Sequence, residues 1–285
     1  MSTYRILYNP LAQNKAGEAG ARKLDSMLSG DLKYEDMTKL DYRRFFAEID
    51  PEEKVVVCGG DGTLYRFIND TNGVNIKNEL YYFAAGTGND FLFDIGKKPE
   101  DGLVDLKPYI KDLPSVTVKG KTSLFINGVG FGIDGYCCEE GDRQKELSDK
   151  PVNYTSIAIK GLLGKFKPVN AKITVDGVTT EYKKVWLAPT MNGRAYGGGM
   201  LATPAQDRLN KARTVSTLVY YGCGALTALI VFPSIFKGEH VKHTKMCKVI
   251  EGHDVTVEFD RPTALQIDGE TVKNVTKYHV VTAKK

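Results

Sequence analysis

The sequence predicts two domains, an N-terminal α/β domain with a mostly parallel sheet and a C-terminal antiparallel β-sandwich. The 285 residues exceed the length of one typical domain. Up to about Asp112, strand-like and helix-like segments alternate, which is typical of a parallel sheet covered by helices. Beyond it, most segments are strands separated by turn signals such as Asp176-Gly177 and Asp268-Gly269. These observations together define the predicted fold class.

Hydrophobic periodicity places the elements of the first domain. Residues 54–58 (KVVVC) are an apolar, β-branched run and predict a central strand, whereas Ala21, Leu24 and Leu28 have helical spacing. The full prediction is strands at 4–9, 33–37, 54–58 and 80–85, helices at 15–28, 41–49 and 63–70, and a helical turn at 88–93.

The second half contains strand-like segments interrupted by two helical ones. The helices are expected near 153–166 and 223–236, and the second of them is predicted to be buried. We place the domains at 1–115 and 116–285, and the last strand could return to either domain. The strand-like segments are 115–120, 122–132, 171–190, 214–221, 247–260, 264–270 and 277–283.

Composition and charge exclude several classes of protein. A net charge of +4 is too small to indicate nucleic-acid binding, and 42% hydrophobic with 26% charged residues is ordinary for a globular chain. The five cysteines are odd in number and form no CxxC pair, which favours a reduced, cytoplasmic compartment. The longest uncharged run, 218–236, is interrupted by Gly222, Gly224 and Pro233, so it predicts no membrane span.

The stretch 55-VVVCGGDGTLYRFIND-70 combines a strand, a glycine turn and the start of a helix. Backbone N–H groups in such a turn, together with the helix dipole, bind anions. Asp61 lies inside the turn and would repel a phosphate unless a cation such as Mg²⁺ lay between them. The alternative is a turn aspartate that hydrogen-bonds the first amides of a helix.

A second glycine turn, 85-AGTGNDF-91, also follows a predicted strand and precedes a helical segment. It contains a hydroxyl at Thr87 and a carboxylate at Asp90. In a parallel sheet, turns at successive strand ends open onto the same crevice, where ligands bind. The two turns therefore predict one phosphate-binding site.

GGDGT followed by GTGNDF resembles the catalytic domain of the diacylglycerol kinase family of lipid kinases. That family includes sphingosine kinases and bacterial homologues and is related more distantly to NAD kinases and phosphofructokinases. The resemblance implies a fold of the NAD kinase and diacylglycerol kinase type. It extends along the chain through 9-NPLAQNKAG-17, 127-NGVGFGID-134, 196-YGGGMLATP-204 and 268-DGE-270.

The resemblance implies specific roles for residues of this chain. Glu270 would be the general base that takes the proton from the lipid hydroxyl, with Asp268 as a second candidate, and Asp134 would meet the acceptor head group. Asp61 would face Mg²⁺ and contribute to catalysis. ATP would be bound by Asn9, Pro10, Thr38, Gly59, Gly60, Gly62, Thr63, Gly86, Thr87, Asn89 and Asp90.

The chain departs from the family pattern at a few positions. Many bacterial members hold a structural magnesium with an Asp-Gly turn where this chain reads 207-DRLNKARTVSTL-218, with Asn210-Lys211 in place of that turn. We therefore expect no such metal, although Asp207 could partly substitute. Phe93 stands where an arginine is usual, and Ala85 replaces a proline.

A basic amphipathic segment predicts contact with an anionic membrane surface. In 153-NYTSIAIKGLLGKFKPV-169 an apolar helical stripe is flanked by Lys160, Lys165 and Lys167. The alternative is a helix packed on the sandwich with its lysines in water. Exposed sheet edges also make a homodimer a further expectation.

The sequence thus indicates a cytoplasmic enzyme, peripherally associated with the membrane, that transfers the γ-phosphoryl group of ATP to a lipid hydroxyl. Diacylglycerol is the leading acceptor and phosphatidic acid the product. The alternatives are an NAD kinase, which shares GGDGT, and a non-catalytic regulator that binds lipid or nucleotide. GTGNDF differs from the Asn-Glu pair usual in NAD kinases, and Asp61 and Glu270 speak against a regulator.

Overall fold

The computed structural model describes residues 2–12, 16–86, 89–147 and 152–283. The chain forms two compact units, Met1–Lys111 and Asp112–Lys285. The first is an α/β unit with a mostly parallel sheet, and the second is built on an antiparallel sheet. The predicted fold class is confirmed.

The first unit contains a five-stranded sheet in the order β2-β1-β3-β4-β5 within the described residues. Neighbours among the first four strands pair in parallel, and β5 runs antiparallel to β4. The strands are β1 (Thr3–Tyr8), β2 (Asp31–Asp36), β3 (Lys54–Gly59), β4 (Leu80–Ala84) and β5 (Val104–Asp105). The helices are α1 (Gly17–Ala21), α2 (Tyr42–Glu48), α3 (Asp61–Asp70), α4 (Asp90–Asp94) and α5 (Lys107–Ile110), with 3₁₀ turns at Arg22–Ser26 and Pro99–Asp101.

The central strand β3 explains how this unit is organised. Its residues from Val55 to Gly59 are buried, as expected for a strand with neighbours on both edges and helices on both faces. From β1 the chain adds β2 on one side and then β3 and β4 on the other, so the order in which strands are added switches between β1 and β3. Ligands of such sheets bind at that point, outside the carboxyl ends of the strands.

The second unit contains one extended antiparallel sheet, with the path β13-β12-β11-β8-β14-β15-β6-β7 and β9 joining β10 to β14. Its strands are β6 (Ser115–Val118), β7 (Lys121–Leu124), β8 (Gly128–Gly132), β9 (Val169–Val175), β10 (Val178–Val185), β11 (Leu187–Met191), β12 (Val215–Tyr220), β13 (Cys247–Gly252), β14 (Asp254–Ile267) and β15 (Glu270–Val281). Its helical segments are α6 (Ile133–Leu147), α7 (Tyr154–Lys160), a π-helical turn (Gly161–Lys165), α8 (Ala225–Val231) and 3₁₀ turns at Phe232–Lys237 and Glu239–Lys242.

Turn chemistry fixes two hairpins of this sheet. Asp176-Gly177 joins β9 to β10 and Asp268-Gly269 joins β14 to β15, and all four residues have positive φ. Two consecutive left-handed residues define the tight hairpin turn for which Asp-Gly is favoured. The last strand, β15, pairs with β14 and β6 inside the second unit.

The structure corrects three details of the sequence prediction. The 15-residue helix α6 was not predicted, because its charged second half has no continuous apolar stripe. The helix predicted at 15–28 is a short α1 followed by a 3₁₀ turn, and its first residue, Lys15, lies outside the described residues. The helix predicted to be buried near 223–236 presents Leu226 and Ile230 to solvent.

In the part of the chain that the structure describes, no helix is long and apolar enough to cross a membrane. The uncharged run at 218–236 is divided instead between β12, α8 and a 3₁₀ turn. The glycines and the proline within this run are the sequence signals for that division.

Candidate active site

The carboxyl edge of the first sheet gathers the predicted nucleotide-binding residues. Tyr8 pairs with Asp36 and with Cys58, and Gly59 pairs with Ala84, so β1 to β4 end at nearly the same level. The first two residues after these ends include Asn9, Thr38, Gly60 and Gly86. The sheet register therefore brings these four predicted residues to one edge.

The carboxylate of Asp61 ties the first glycine turn to the second. Its Oδ2 accepts the backbone N–H of Asp90 at 2.7 Å, and its Oδ1 accepts that of Phe91 at 3.0 Å. Asp61 is the first residue of α3, yet its side chain caps the N-terminus of α4. The aspartate inside the glycine turn thus hydrogen-bonds the first amides of a helix, as in the alternative interpretation of the sequence, but the helix is α4 rather than its own, so Asp61 holds the two turns in a fixed relation.

Tyr82 provides a second bridge between the turns. Its hydroxyl lies 2.9 Å from the carbonyl oxygen of Gly59 and 3.0 Å from Oδ1 of Asn89. The Asn89 side chain in turn donates to the carbonyl of Gly86 at 2.7 Å. Burial raises the pKa of Tyr82 well above its usual value, and the nearby Asp61 carboxylate acts in the same direction. No sequence signal distinguishes Tyr82, which in the sequence is one more aromatic residue of the predicted strand at 80–85.

Glycines in this region accommodate two close approaches, one between the two turns and one inside the first turn. A Cβ on Gly86 would lie 3.3 Å from the backbone of Gly60, tighter than an ordinary van der Waals contact. A Cβ on Gly59 would overlap the side chain of Thr63, which is buried. The glycines therefore allow close packing at these turns. Separately, the first backbone N–H groups of α3 have no acceptor within the helix, as at every helix start.

Of the other predicted residues of the first unit, Gly62 belongs to α3, and Asn9, Pro10 and Thr38 lie in the loops after β1 and β2. Oδ1 of Asn9 accepts the N–H of Leu11 at 3.0 Å and so shapes the turn at Pro10. Thr38 donates its hydroxyl to Asp36 at 2.6 Å. Thr87 lies outside the described residues. The nucleotide-binding roles of these residues stay predictions.

We expect Tyr82→Phe to lower the free energy of unfolding by about 0.5–1.5 kcal/mol, because the single hydroxyl proton shared by the Gly59 carbonyl and Oδ1 of Asn89 is lost, while the Gly59 carbonyl keeps the N–H of Ala85. Chemical denaturation followed by circular dichroism measures this loss. Tyr42→Phe is the matched control, since the Tyr42 hydroxyl is buried without a partner among the described residues. The control should unfold like the parent or be slightly more stable. Equal losses in both variants would show that the Tyr82 bridge contributes nothing.

The carboxylate oxygens of Asp61 at this edge are compatible with a Mg²⁺ ion bound through water molecules. Both oxygens of the Asp61 carboxylate accept backbone N–H groups, and a carboxylate oxygen can accept more than one hydrogen bond. Mg²⁺ usually keeps several waters and binds one or two carboxylates plus phosphate oxygens, so it does not need a cage of protein ligands. Among the described residues, no group of three or more His, Cys, Asp or Glu side chains could hold a metal by itself.

In the second unit, Asp268 organises the segment that opens β8. Its carboxylate accepts the backbone N–H groups of Ile126 at 2.6 Å, Asn127 at 2.8 Å and Gly128 at 2.9 Å. The side chain is buried at the hairpin between β14 and β15. Because this carboxylate accepts three backbone N–H groups, a structural role for Asp268 is favoured. Its role as general base stays a prediction.

Glu270 follows the same hairpin turn and is the first residue of β15. Its side chain is exposed, unlike that of Asp268 two residues earlier. Thr271, the next residue, donates its hydroxyl to Asp142 on α6 at 2.6 Å and so fixes this end of the strand. The hairpin thus presents the Glu270 carboxylate to solvent from a well-anchored backbone.

Asp134 lies at the start of α6 in a buried polar cluster. Its Oδ1 accepts the N–H of Gly135 at 2.8 Å, while Oδ2 has no hydrogen-bond partner among the described residues. The Tyr196 hydroxyl and the Gln266 amide nitrogen are likewise buried without a completed hydrogen bond, although both groups lie close enough to stabilise the carboxylate. Burial raises the pKa of Asp134 to about 6, and the Gly135 hydrogen bond offsets part of that effect.

This shift predicts a pH dependence of stability. The folded-state pKa of about 6 exceeds the ordinary value of 3.8, so the folded chain binds the proton more tightly than the unfolded chain. The stabilisation is fully present below the unfolded pKa and is lost as the pH rises through the folded pKa. We expect a loss of about 3 kcal/mol from this group, measured by denaturation between acid and neutral pH. Asp134→Asn should lack this component, and an identical pH profile in both proteins would contradict it.

Three further features of this unit concern Arg208, the glycines at 197–199 and Asp207. Arg208 is buried and donates to the Ile126 carbonyl at 3.2 Å and to Oδ1 of Asn127 at 3.1 Å. The three glycines at 197–199 all have positive φ, a run that only glycine adopts without strain. Asp207, the expected partial substitute for a metal-binding turn, accepts the N–H of Leu209 at 2.9 Å.

Two family models match the chain in the order of its two units. Residues 3–113 match the diacylglycerol kinase catalytic domain, and residues 127–283 match the YegS C-terminal NAD kinase beta sandwich-like domain. A diacylglycerol kinase of Mycobacterium tuberculosis (strain H37Rv) is 28% identical over 197 residues, 67% of this chain and 62% of that protein. YtlR of Bacillus subtilis (strain 168) is 27% identical over 179 residues, 56% of each protein. The matches thus span less than two thirds of these relatives.

Solved structures agree with the fold. A Bacillus anthracis (strain Sterne) chain superposes with a TM-score of 0.67 at 18% identity, covering 99% of this chain and 93% of the other. A diacylglycerol kinase structure from the same strain has a TM-score of 0.60 at 18% identity, covering 98% and 94%. At such identity the likeness supports the fold alone, whereas the second family model by itself covers more than half of the residues. The chain belongs to the diacylglycerol kinase family of lipid kinases.

Proposed function

We propose that this chain is an ATP-dependent lipid kinase that transfers the γ-phosphoryl group to a lipid hydroxyl. Diacylglycerol is the proposed acceptor and phosphatidic acid the product. The observation that carries the proposal is the pair of glycine turns that Asp61 joins at the carboxyl edge of the first sheet. Such an edge binds phosphates with backbone N–H groups, and the family membership gives the class of reaction.

The chemistry assigns a task to each group. The lipid hydroxyl oxygen attacks the γ-phosphorus, the bond from that phosphorus to the β,γ-bridging oxygen breaks, and ADP leaves. Glu270 takes the hydroxyl proton, a role that suits a carboxylate presented on an anchored hairpin. Backbone amides of the first glycine turn hold the phosphates in position. When bound beside Asp61, Mg²⁺ would supply charge neutralisation for the phosphates.

An NAD kinase is the second candidate, because it shares the GGDGT turn. The second loop reads GTGNDF rather than the Asn-Glu pair usual in NAD kinases, and the first family model is that of diacylglycerol kinases. A regulator without catalytic activity would have no need of the exposed Glu270 carboxylate, whereas the structural role of Asp61 would serve either protein. The second loop and Glu270 favour the lipid kinase.

The test is transfer of radiolabel from γ-labelled ATP in the presence of Mg²⁺, with diacylglycerol, other hydroxyl lipids and NAD offered separately. We expect labelled phosphatidic acid, with a turnover number about a hundredfold lower in Glu270→Gln. Because Glu270 is exposed, this variant should keep the stability of the parent.

Glu251→Gln is the control, since Glu251 is an exposed carboxylate on β13 of the same unit. It should retain the parent rate. Label in NADP would support the second candidate. Label in no acceptor, with ATP still bound, would favour the regulator and remove the proposed role of Glu270.

A further inference from the structure

The second unit presents an apolar surface where solvent-exposed polar residues would be expected. We define the apolar face as Ile159, Leu163, Leu226, Ile230 and Phe236, which lie on α7, the π-helical turn, α8 and the 3₁₀ turn that follows α8. Leu163, Leu226 and Ile230 are 66%, 72% and 70% exposed. Single exposed apolar residues are ordinary, but five on adjoining helical segments mark an interaction surface.

These segments form one surface because their inner sides pack into one core. Ile157 and Leu162 on one side and Ala228 and Val231 on the other belong to the same buried cluster. The π-helical turn lies against α8. Since the two segments are in contact and share a core, their exposed residues lie on adjoining parts of the surface. Gly164, with a φ of 127°, allows the sharp bend that leaves Leu163 exposed.

The charges on the helical segments that carry the apolar face have one sign, with Glu139, Glu140 and Glu239 on neighbouring segments. Residues 152–175 and 208–238 contain no Asp or Glu. Exposed lysines lie on or next to the helical segments: Lys160, Lys165, Lys167, Lys183, Lys184 and Lys237. Lys183 and Lys184 adjoin the start of α8, because their carbonyls accept the N–H of Gly222. This arrangement is complementary to an anionic partner.

A pocket borders the same surface. It has a volume of about 310 Å³ and is lined by the aromatic side chains of Tyr136 and Phe166 and by the charged residues Lys165, Lys167, Arg261 and Glu139. Three cations against one carboxylate favour an anion, and the aromatic walls favour a ligand with apolar parts. A phospholipid head group with its glycerol backbone has this combination.

We propose that the apolar face docks on an anionic lipid bilayer, with Leu163, Leu226 and Ile230 inserted among the acyl chains and the lysines at the level of the head groups. A protein partner would need acidic residues around an apolar core, whereas a bilayer supplies both features over any area. The choice of a lipid surface rests in part on the proposed lipid-kinase function. The surface extends the membrane contact predicted from 153–169 to α8, which the sequence indicated as buried.

The test is co-sedimentation of the full chain, without ATP, with vesicles of phosphatidylcholine and phosphatidylglycerol and with vesicles of phosphatidylcholine alone. The double variant Leu226→Asn/Ile230→Asn should bind the anionic vesicles at least about tenfold more weakly than the parent, because two inserted side chains are lost. Lys165→Gln and Lys167→Gln should each weaken binding to anionic vesicles about fivefold and change binding to phosphatidylcholine little.

Val178→Asn is the matched control, since Val178 is 72% exposed on the hairpin between β9 and β10, outside the apolar face. It should bind like the parent. The proposal is overturned if the parent fails to bind anionic vesicles or if the double variant binds like Val178→Asn. It is also overturned if the double substitution converts a dimer into a monomer, because the face would then be a protein interface.

The assay separates docking from catalysis. Vesicle binding needs no turnover, so a chain without kinase activity still gives a decisive binding result. If the parent is an active kinase, the double variant should retain the parent rate on a short-chain, monomeric acceptor and lose rate only on vesicles. Equal loss on both acceptors would contradict a docking role.

Discussion

Replacing Asp61 with Asn is expected to lower phosphoryl transfer by about a thousandfold. The asparagine removes the negative charge that would anchor Mg²⁺ through water. It also leaves one amide oxygen where two carboxylate oxygens accept the N–H groups of Asp90 and Phe91. Both effects disturb the phosphate-binding edge, since the second glycine turn loses its fixed position relative to the first.

The same substitution should lower the free energy of unfolding by about 1–3 kcal/mol, because one of the two amides at the start of α4 loses its acceptor. Steady-state rates and denaturation curves of one preparation measure both effects. Asp41→Ala is the matched control: Asp41 accepts the N–H of Arg44 at 3.1 Å and caps α2 in the same unit.

Asp41→Ala should lower the free energy of unfolding by about 1 kcal/mol and leave the rate of phosphoryl transfer unchanged. A rate in Asp61→Asn within a few-fold of the parent would contradict the role of Asp61 in catalysis. If Asp61→Asn lost the rate of phosphoryl transfer but kept the parent stability, Asp61 would have a catalytic role and no structural one.

Asp268→Ala should be the most destabilising substitution considered, with a loss of about 4 kcal/mol or more in the free energy of unfolding. Three backbone N–H groups, those of residues 126–128, would lose their acceptor in the interior of the second unit. Residue 268 also has a φ of 47°, which alanine adopts at a cost. Thermal and chemical denaturation of the full chain measure the loss.

A graded series separates this structural role from a catalytic one. Asp268→Asn keeps one oxygen acceptor and tolerates the left-handed conformation, so about half of the loss is expected. Asp207→Ala removes an exposed carboxylate that accepts one N–H and should change stability by less than about 1 kcal/mol. If Asp268→Asn kept the parent stability but lost activity by a hundredfold or more, Asp268 would be the general base and Glu270 would not.

Much of the fold followed from local chemistry in the sequence. The β-branched run at 54–58 predicted the buried central strand, and the two Asp-Gly pairs predicted the hairpins at the ends of β9 and β14. The glycine turns likewise pointed to the carboxyl edge of the parallel sheet. In each case the decisive residues are neighbours along the chain, where turn geometry and side-chain period act directly.

The contacts that complete the candidate site join residues distant along the chain, and sequence patterns gave no sign of them. The Tyr82 hydroxyl on β4 reaches Gly59 at the end of the neighbouring strand β3, and Arg208 reaches Ile126 over 82 positions. Helix α6 was missed because its stability comes from packing against β14 and α7 rather than from an amphipathic pattern. Helix α8 was predicted to be buried because its composition is apolar, whereas tertiary packing covers only one side.

The most direct test of the central claim offers diacylglycerol and NAD together to the parent chain, with γ-labelled ATP and Mg²⁺, and measures how the label divides between the products. We predict that the label enters phosphatidic acid and that chelation of Mg²⁺ abolishes the transfer. Label that enters NADP, or that reaches neither product while ATP is bound, would contradict the assignment as a lipid kinase acting on diacylglycerol.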